Sequence, residues 1–428
     1  MKPLSIVTAA VAGGGAVLVL AAGPAAQAST RVSVPCSGPA GGPARLIAAI
    51  SAANATGGAT INLAAGCTYK LTAANNTSPA LGGNGLPVIT SPITLDGSGT
   101  SIAGNDSTFR ILQVSRTGNL TVQGLTITGG TTDGMGGGIL NLEGTLTLSH
   151  SRVTGNAAQG GPMSGGGGIA SGTMGTGPLG TTTLNASQVS GNSAANAGGI
   201  LNHGGTLTLN NSQVSNNTAA NGGGGIASGT GGTGTNNASS LVLNSSQVTG
   251  NAANGGPRSG AGGIANGGTA IINASQVTGN TAPGSFGGGI LNHGQMTINT
   301  STVANNTTPT DSSGDQGNGG GIANLNITSI TGTPNSGVLT VTLSQISGNS
   351  ASGLGGGVLE DGVNADDTLG QPGGPLTLQQ TQVTGNAATE GGGIFASTAS
   401  PVTLKLSLLR SNTPDNCYPP GTIPGCSN

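Results

Sequence analysis

The 428-residue sequence predicts an all-β chain, a single-stranded right-handed parallel β-helix. Three observations predict it. One line recurs nine times: a Gly run closing on an aliphatic residue, a Leu-Thr-Leu-like stretch, then Ser-Gln-Val-Thr-Gly-Asn or a close variant. The closing residues are Ile139, Ile169, Ile200, Ile226, Ile264, Ile290, Ile322, Val358 and Ile394, and a repeat of this period means stacked copies of one supersecondary unit. Within each copy polar and apolar residues alternate, which is the period of a half-buried strand. The 85 glycines also recur at fixed places beside Ile, Val and Leu, as turn punctuation rather than disorder. No three-residue Gly period runs through the chain, so collagen is excluded.

From the amino terminus, residues 1–28 read as a secretory signal. Lys2 precedes an apolar stretch over 4–22, and Ala26-Gln27-Ala28 forms a small-x-small cleavage site. Gly13-Gly14-Gly15 and Pro24 interrupt that stretch and argue against a spanning helix, and no later segment could cross a bilayer as one. Without Lys2 the chain carries 9 basic and 12 acidic side chains, 9 − 12 = −3, too sparse a charge for nucleic acid or an anionic membrane. Residues 29–90 are expected to form an amino-terminal cap and irregular first coils. Leu46, Ile47, Ala49, Ile50 and Ala53 fall at helical spacing, so a short amphipathic helix over 44–54 would lie across the first coil and hide its open edge. Residues 91–412 form the β-helix and 413–428 a carboxy-terminal cap. Cys36 and Cys67 lie near one end, Cys417 and Cys426 near the other. In a long rod only Cys36–Cys67 and Cys417–Cys426 can close, and export makes an oxidising compartment the expectation.

The copies align on the Ser or Thr that opens the last segment, from Ser151 to Ser407. An aliphatic residue stands two positions later in every copy, Val153 to Leu409, and three positions earlier, Leu148 to Leu404. Two residues beyond the later aliphatic comes only Gly or Asn, as at Gly155, Asn216 and Gly385, where the backbone is expected to turn with φ > 0. Ser411 breaks that rule in the last copy. Asn follows without exception: Asn156, Asn192, Asn217, Asn251, Asn280, Asn306, Asn349, Asn386 and Asn412. An amide in every coil predicts a ladder bonded above and below. Each repeat thus supplies three short strands and three corners, and about eleven coils at ~4.8 Å give a rod of roughly 50 Å. The excess length bulges out at 172–181, 229–239, 307–318, 328–337 and 362–374.

The Gly-Gly-Gly-Ile and Val-x-Gly-Asn elements resemble the repeats of polymorphic outer membrane proteins, whose motifs are Gly-Gly-Ala-Ile and Phe-x-x-Asn. Val stands where that family has Phe, as in Val153…Asn156 and Val383…Asn386. The stretch from Leu46 through Ile61-Asn-Leu to Tyr69-Lys-Leu is similar to the start of pectin-lyase-like β-helix proteins. The likeness spans nearly the whole mature chain, but at the level of fold. It implies one of polysaccharide lyases, glycosidases, adhesins or autotransporter passengers, and so fixes no activity. The membrane barrel of the autotransporting members does not follow Cys426, which implies a released or wall-associated protein.

Sugar cleavage needs carboxylates gathered on one face. The first coils collect Asp96, Asp106, Arg110, Arg116 and Asp133, and Asp96, Asp106, Arg110 and Asp133 are the catalytic candidates. Asp311-Ser-Ser-Gly-Asp315 offers several oxygens, which makes Asp311 and Asp315 candidates for calcium, the one cofactor expected at all. The acidic stretch 360–367 reads as a solvated insertion. His203 and His293 share one template position three coils apart and read as surface repeats. Trp is absent and aromatics are few, which disfavours a glycan-processing groove. Thr121, Thr147, Thr183, Thr208, Thr297, Thr340, Thr377 and Thr403 form an exposed row interrupted by Val242 and Ile271, and Gln188, Gln213, Gln247, Gln276, Gln345 and Gln382 form another. The first resembles the flat arrays of ice-binding solenoids, though Thr is also the ordinary exposed strand residue. The expected protein is a monomeric, secreted or cell-surface structural and adhesive β-helix whose partner is an extracellular glycan or cell-surface ligand. A polysaccharide lyase or glycoside hydrolase is the alternative, and ice binding a remote one.

Overall fold

The computed structural model describes residues 30–39, 41–78, 81–161, 164–172, 180–229, 239–256, 260–328, 334–363 and 369–428. The signal segment and most of the 172–181 and 229–239 insertions lie outside these. The chain winds as a right-handed parallel β-helix, as its repeats predict. One sheet stacks Thr145–Ser149 on Thr181–Asn185, Thr206–Asn210 and Ser240–Asn244, continuing to Val402–Lys405. Round a corner it stacks Arg152–Thr154 on Gln188–Ser190 and so on to Leu408–Arg410. A second sheet stacks Ile139–Leu142 on Ile169–Gly172, Ile200–His203 and onward to Cys417–Tyr418. A fourth stretch, from two residues at Ala157–Ala158 to six at Thr218–Gly223, lies between the Asn corner and the next Gly run. Three strands per repeat are thus supplemented by a fragment whose length varies from coil to coil and so does not show as periodicity.

Register keeps like over like. Leu148, Leu184, Leu209, Leu243, Ile272, Ile298, Val341, Leu378 and Leu404 form one column, and from Leu148 to Leu378 its members are completely buried. A one-residue slip would turn each such column outward, so the aliphatic pattern fixes the register. Glycine runs are required where coils meet. A Cβ on Gly168 would stand 2.8 Å from the Gly199 carbonyl oxygen, 2.8 Å from Val189 Cγ1 and 3.0 Å from Asn192 Nδ2.

The corner after Val153 turns with Gly155 at φ 63°, and the equivalents include Asn216 at 54° and Gly385 at 66°. Ser411, which departs from the Gly/Asn pattern, turns the same way at φ 56°. A second positive-φ corner carries no such signature: His150, Ala186, Asn211, Ser245, Ala274, Thr300, Leu343, Gln380 and Leu406 all have φ between 46° and 52°. The following Ser explains how these residues are held. Ser187 Oγ donates to the Asn185 carbonyl at 2.8 Å, spanning Ala186, and accepts from the Ser151 amide of the neighbouring coil at 3.1 Å.

At the Asn corner, Asn156 Nδ2 and the Asn156 amide both donate to Asn192 Oδ1 at 3.0 Å. The same pair of bonds joins Asn192 to Asn217, Asn217 to Asn251, Asn251 to Asn280, and Asn280 to Asn306. It continues through Asn349 and Asn386 to Asn412. Asn412 then donates to Asn416 Oδ1 at 2.9 Å, so the ladder runs into the carboxy-terminal cap.

The ends are closed as expected. Helix Gly42–Thr56 starts at Pro43 and stops at Gly57, whose φ of 86° ends it. It buries Leu46, Ala49, Ile50 and Ala53 against the first coils. Disulfides join Cys36 to Cys67 and Cys417 to Cys426. Among the described residues no helix is long and apolar enough to cross a membrane.

Candidate functional site

The structure disperses the first-coil candidates. Arg110 is fully buried. Its Nη1 donates to Asn84 Oδ1 at 2.9 Å, its Nε to the Met135 carbonyl at 3.2 Å, and its Nη2 to the Leu81 carbonyl and to Thr132 Oγ1. Burial pulls its pKa down to about 10, so it stays charged at neutral pH. These partners are neutral oxygens, and the guanidinium serves to tie 81–84 to 132–135. Asp133 is exposed, Asp96 is half-buried beside Asn62 and Gln123 in register, and the Asp106 side chain lies outside the description. Neither Asp96 nor Asp133 forms an ion pair with Arg110. Arg116 instead meets Glu143 at 2.6 Å in an exposed contact, worth little in stability.

Asp311 Oδ1 accepts from the amides of Ser313 at 2.8 Å and Asp315 at 2.9 Å, closing a local turn. Asp311 also borders an open hollow of about 460 Å³ with Asn254, Gly256, Pro283 and Ser313. Asp315 is exposed. Among the described residues no three His, Cys, Asp or Glu side chains gather in a way that could hold a metal. The two histidines are less exposed than surface repeats would be. Burial lowers both pKa values, that of His293 to about 4, and the His293 imidazole lies where a Cβ on Gly267 would sit, 2.5 Å from its Cε1.

The least expected carboxyls are Glu360 and Asp361, read from sequence as part of a solvated insertion. Both are buried. Asn324 Nδ2 donates to Glu360 Oε2 at 2.8 Å, while Glu360 Oε1 has no hydrogen-bond partner. Asp361 Oδ1 accepts from the amides of Gly362 and Gly370, and Oδ2 has no partner. Desolvation raises the Glu360 pKa to about 9 and raises that of Asp361 too. The segment Leu369–Gly373 covers both acids. It is pinned by the Gly370 bond, by Ser397 Oγ donating to the Gln371 carbonyl at 2.6 Å, and by the Gly373 amide donating to Ser400 Oγ at 2.7 Å. A sequence signal for Glu360 did exist. Val358-Leu-Glu360 aligns with Ile290-Leu-Asn292 and Ile322-Ala-Asn324, so Glu360 ends an amide row in which Asn266 donates to Asn292 and Asn292 to Asn324. Asp366 and Asp367 lie outside the described residues.

The most extensive feature is a surface. On the sheet of Thr145–Ser149 the outward positions present Thr147, Thr183, Thr208, Thr297 and Thr340 in register, broken by Val242 and Ile271. A second amide ladder flanks them, unnoticed in the sequence. Asn210 donates to Asn185, Asn244 to Asn210, Asn273 to Asn244 and Asn299 to Asn273, at 2.9–3.0 Å. Each residue is half-buried by its neighbours, so the array is held before anything binds. Its signal was an Asn two residues before the aligned Ser, hidden because the first and last copies carry Ser149, Thr342, Gln379 and Lys405 instead.

No family model matches the chain, and no curated protein does. Among solved structures the chain is similar to the A-module of the mannuronan C-5 epimerase AlgE6 of Azotobacter vinelandii. The identity is 15% over 86% of this chain and 94% of that one, with a TM-score of 0.44. The AlgE4 A-module of the same organism follows at 14% identity, 87% and 94% coverage and a TM-score of 0.43. Pectate lyase Pel9A gives 13% identity, 90% and 79% coverage and a TM-score of 0.30. Likeness at this level bears on neither the activity nor the ligand of this chain. The resemblance to polymorphic outer membrane protein repeats, read from the Gly-Gly-Gly-Ile and Val-x-Gly-Asn elements, is not shown by any of these comparisons.

Proposed function

We propose that the chain is an exported structural and adhesive β-helix that makes contact through its side wall. One observation carries this reading: the outward side of the Thr145–Ser149 sheet is a regular, pre-ordered polar array, with Asn185 to Asn299 joined amide to amide. Side chains already fixed by neighbours lose little entropy on binding. The terminal disulfides suit an oxidising compartment. Carbohydrate cleavage is the second reading, and buried Glu360 favours it, because a carboxyl kept protonated by desolvation is the general acid such chemistry uses. For that reading Leu369–Gly373 would have to lift, since Glu360 is shut from solvent. Incubating the purified protein with a panel of acidic and neutral polysaccharides separates the two. Retention without chain shortening is the expected result, and reproducible cleavage abolished by Glu360→Gln would install the second reading instead.

A further inference from the structure

We infer that the Thr and Asn face binds an ordered, uncharged polysaccharide, a solid such as crystalline cellulose or chitin; this deepens the adhesive reading and rests on it. The argument begins with charge. From Asn119–Gln123 to Val338–Thr342 the outward positions of these five-residue strands carry no ionisable group; His150 and Arg152 lie at and beyond the corner, Asp96 stands one coil before and Lys405 two coils after. Eight strands at ~4.8 Å and five residues at ~3.3 Å make a neutral area about 34 Å long and 13 Å wide. Protein surfaces normally intersperse both signs of charge, so this area suits a partner without charge.

The chemistry offered is hydroxyl and amide. Each ladder Asn from Asn210 to Asn299 spends one Nδ2 hydrogen on its neighbour. The other hydrogen and a lone pair on Oδ1 remain to face outward. Donor and acceptor side by side at a fixed repeat match the hydroxyls of sugar rings. No aromatic residue lies on this face, so single contacts are weak and affinity must come from many made together. That requirement selects a long, already ordered polymer over a free oligosaccharide, which would lose its own freedom for a few contacts. An ice surface is the rival partner. Val242 and Ile271, the latter 38% exposed, break the hydroxyl row mid-face, and the amides alternate with it, so no uniform hydroxyl lattice is offered.

The test is cosedimentation of the full mature chain with microcrystalline cellulose and with chitin, beside soluble polygalacturonate and ice crystals. The wild type is expected to pellet with a neutral solid, with little change in about 0.5 M salt. Thr208→Lys with Thr297→Lys should weaken this about tenfold or more, since contacts are lost together. Ser312→Lys, exposed in the 307–318 insertion beyond the Asn corner, should not, and far-ultraviolet circular dichroism confirms that both variants fold. Capture by polygalacturonate or ice without capture by a neutral solid would overturn the inference while leaving adhesion standing. Equal binding by the Thr208/Thr297 variant would move the site off this face. Binding to none of the four would remove the polysaccharide inference, and failure across the wider panel would remove the adhesive reading with it.

Discussion

Glu360 shows how one residue acquires a property its neighbours in sequence do not suggest. It occupies an amide position, with Asn324 satisfying one oxygen and nothing satisfying the other. Its folded-state pKa is raised to about 9 from 4.5, so between those values the folded chain holds a proton that the unfolded chain releases. Stability therefore falls as pH rises through that window and is greatest below it, by roughly 1.4 kcal/mol per unit at most. Glu360→Gln keeps the shape and removes the titration. It is expected to stabilise the protein at neutral pH by on the order of 3 kcal/mol and to flatten this slope, as read from urea unfolding at pH 5, 7 and 8.5. A variant with the wild-type slope would show that Glu360 does not hold the proton. Asn251 makes the opposite case. Its Oδ1 accepts from Asn217 twice and its Nδ2 donates to Val214 O and Asn280 Oδ1. Asn251→Ala strands the buried Asn217 amide, at about 1–3 kcal/mol, and removes the further bonds to Asn217 Nδ2, Val214 O and Asn280 Oδ1, at about 0.5–1.5 kcal/mol each. A drop of about 4 kcal/mol in unfolding free energy is expected, and a drop below about 1 kcal/mol would mean that water or local shift replaces the amide.

At the scale of elements, the helix is the part that differs in kind from the rest. Solenoid coils leave open edges at each end. Gly42–Thr56 meets the first one with Leu46, Ala49, Ile50 and Ala53. All four were legible because helical spacing stands out against a background of period two. Ile50→Ala removes a completely buried side chain and should cost about 2–5 kcal/mol. Because each coil rests on its neighbours, hydrogen exchange should rise first in Arg31–Val34 and Ala59–Leu63, the strands beneath the helix. Uniform loss of protection along the rod would instead mean that the stack unfolds as one unit. The corners were only half legible. Gly155 and its equivalents announce a positive φ, whereas Ala186, Thr300 and Leu343 adopt one with no signature. Their conformation is imposed from outside, by the Ser that follows and by the coil alongside, and such coercion leaves no mark on residue type.

Across the whole molecule, cohesion comes from aliphatic columns and neutral amide ladders, with charge in a minor part. The described ion pair joins an exposed Arg116 to a half-buried Glu143. Raising salt from about 0.05 to 0.5 M, which cuts the screening length to a few ångströms, should therefore shift the melting temperature by no more than about 2 °C. A larger change would point to charge interactions beyond those described. The same scarcity of charge leaves the side wall neutral over consecutive coils, a consequence of stacking that no single repeat displays.

The sequence by itself determined the repeat, the inward columns, the Gly turns, the Asn corner and the closed ends, because each recurs in or brackets every coil and periodicity makes recurrence visible. Tertiary structure alone decided what depends on adjacency between coils. It buried Glu360 and Asp361 beneath Leu369–Gly373, spent Arg110 on neutral oxygens, and aligned Asn185 through Asn299 into a surface ladder. Many of these hydrogen-bond partners lie some 26 to 40 positions away along the chain, a distance at which a one-dimensional pattern carries the period but not the environment.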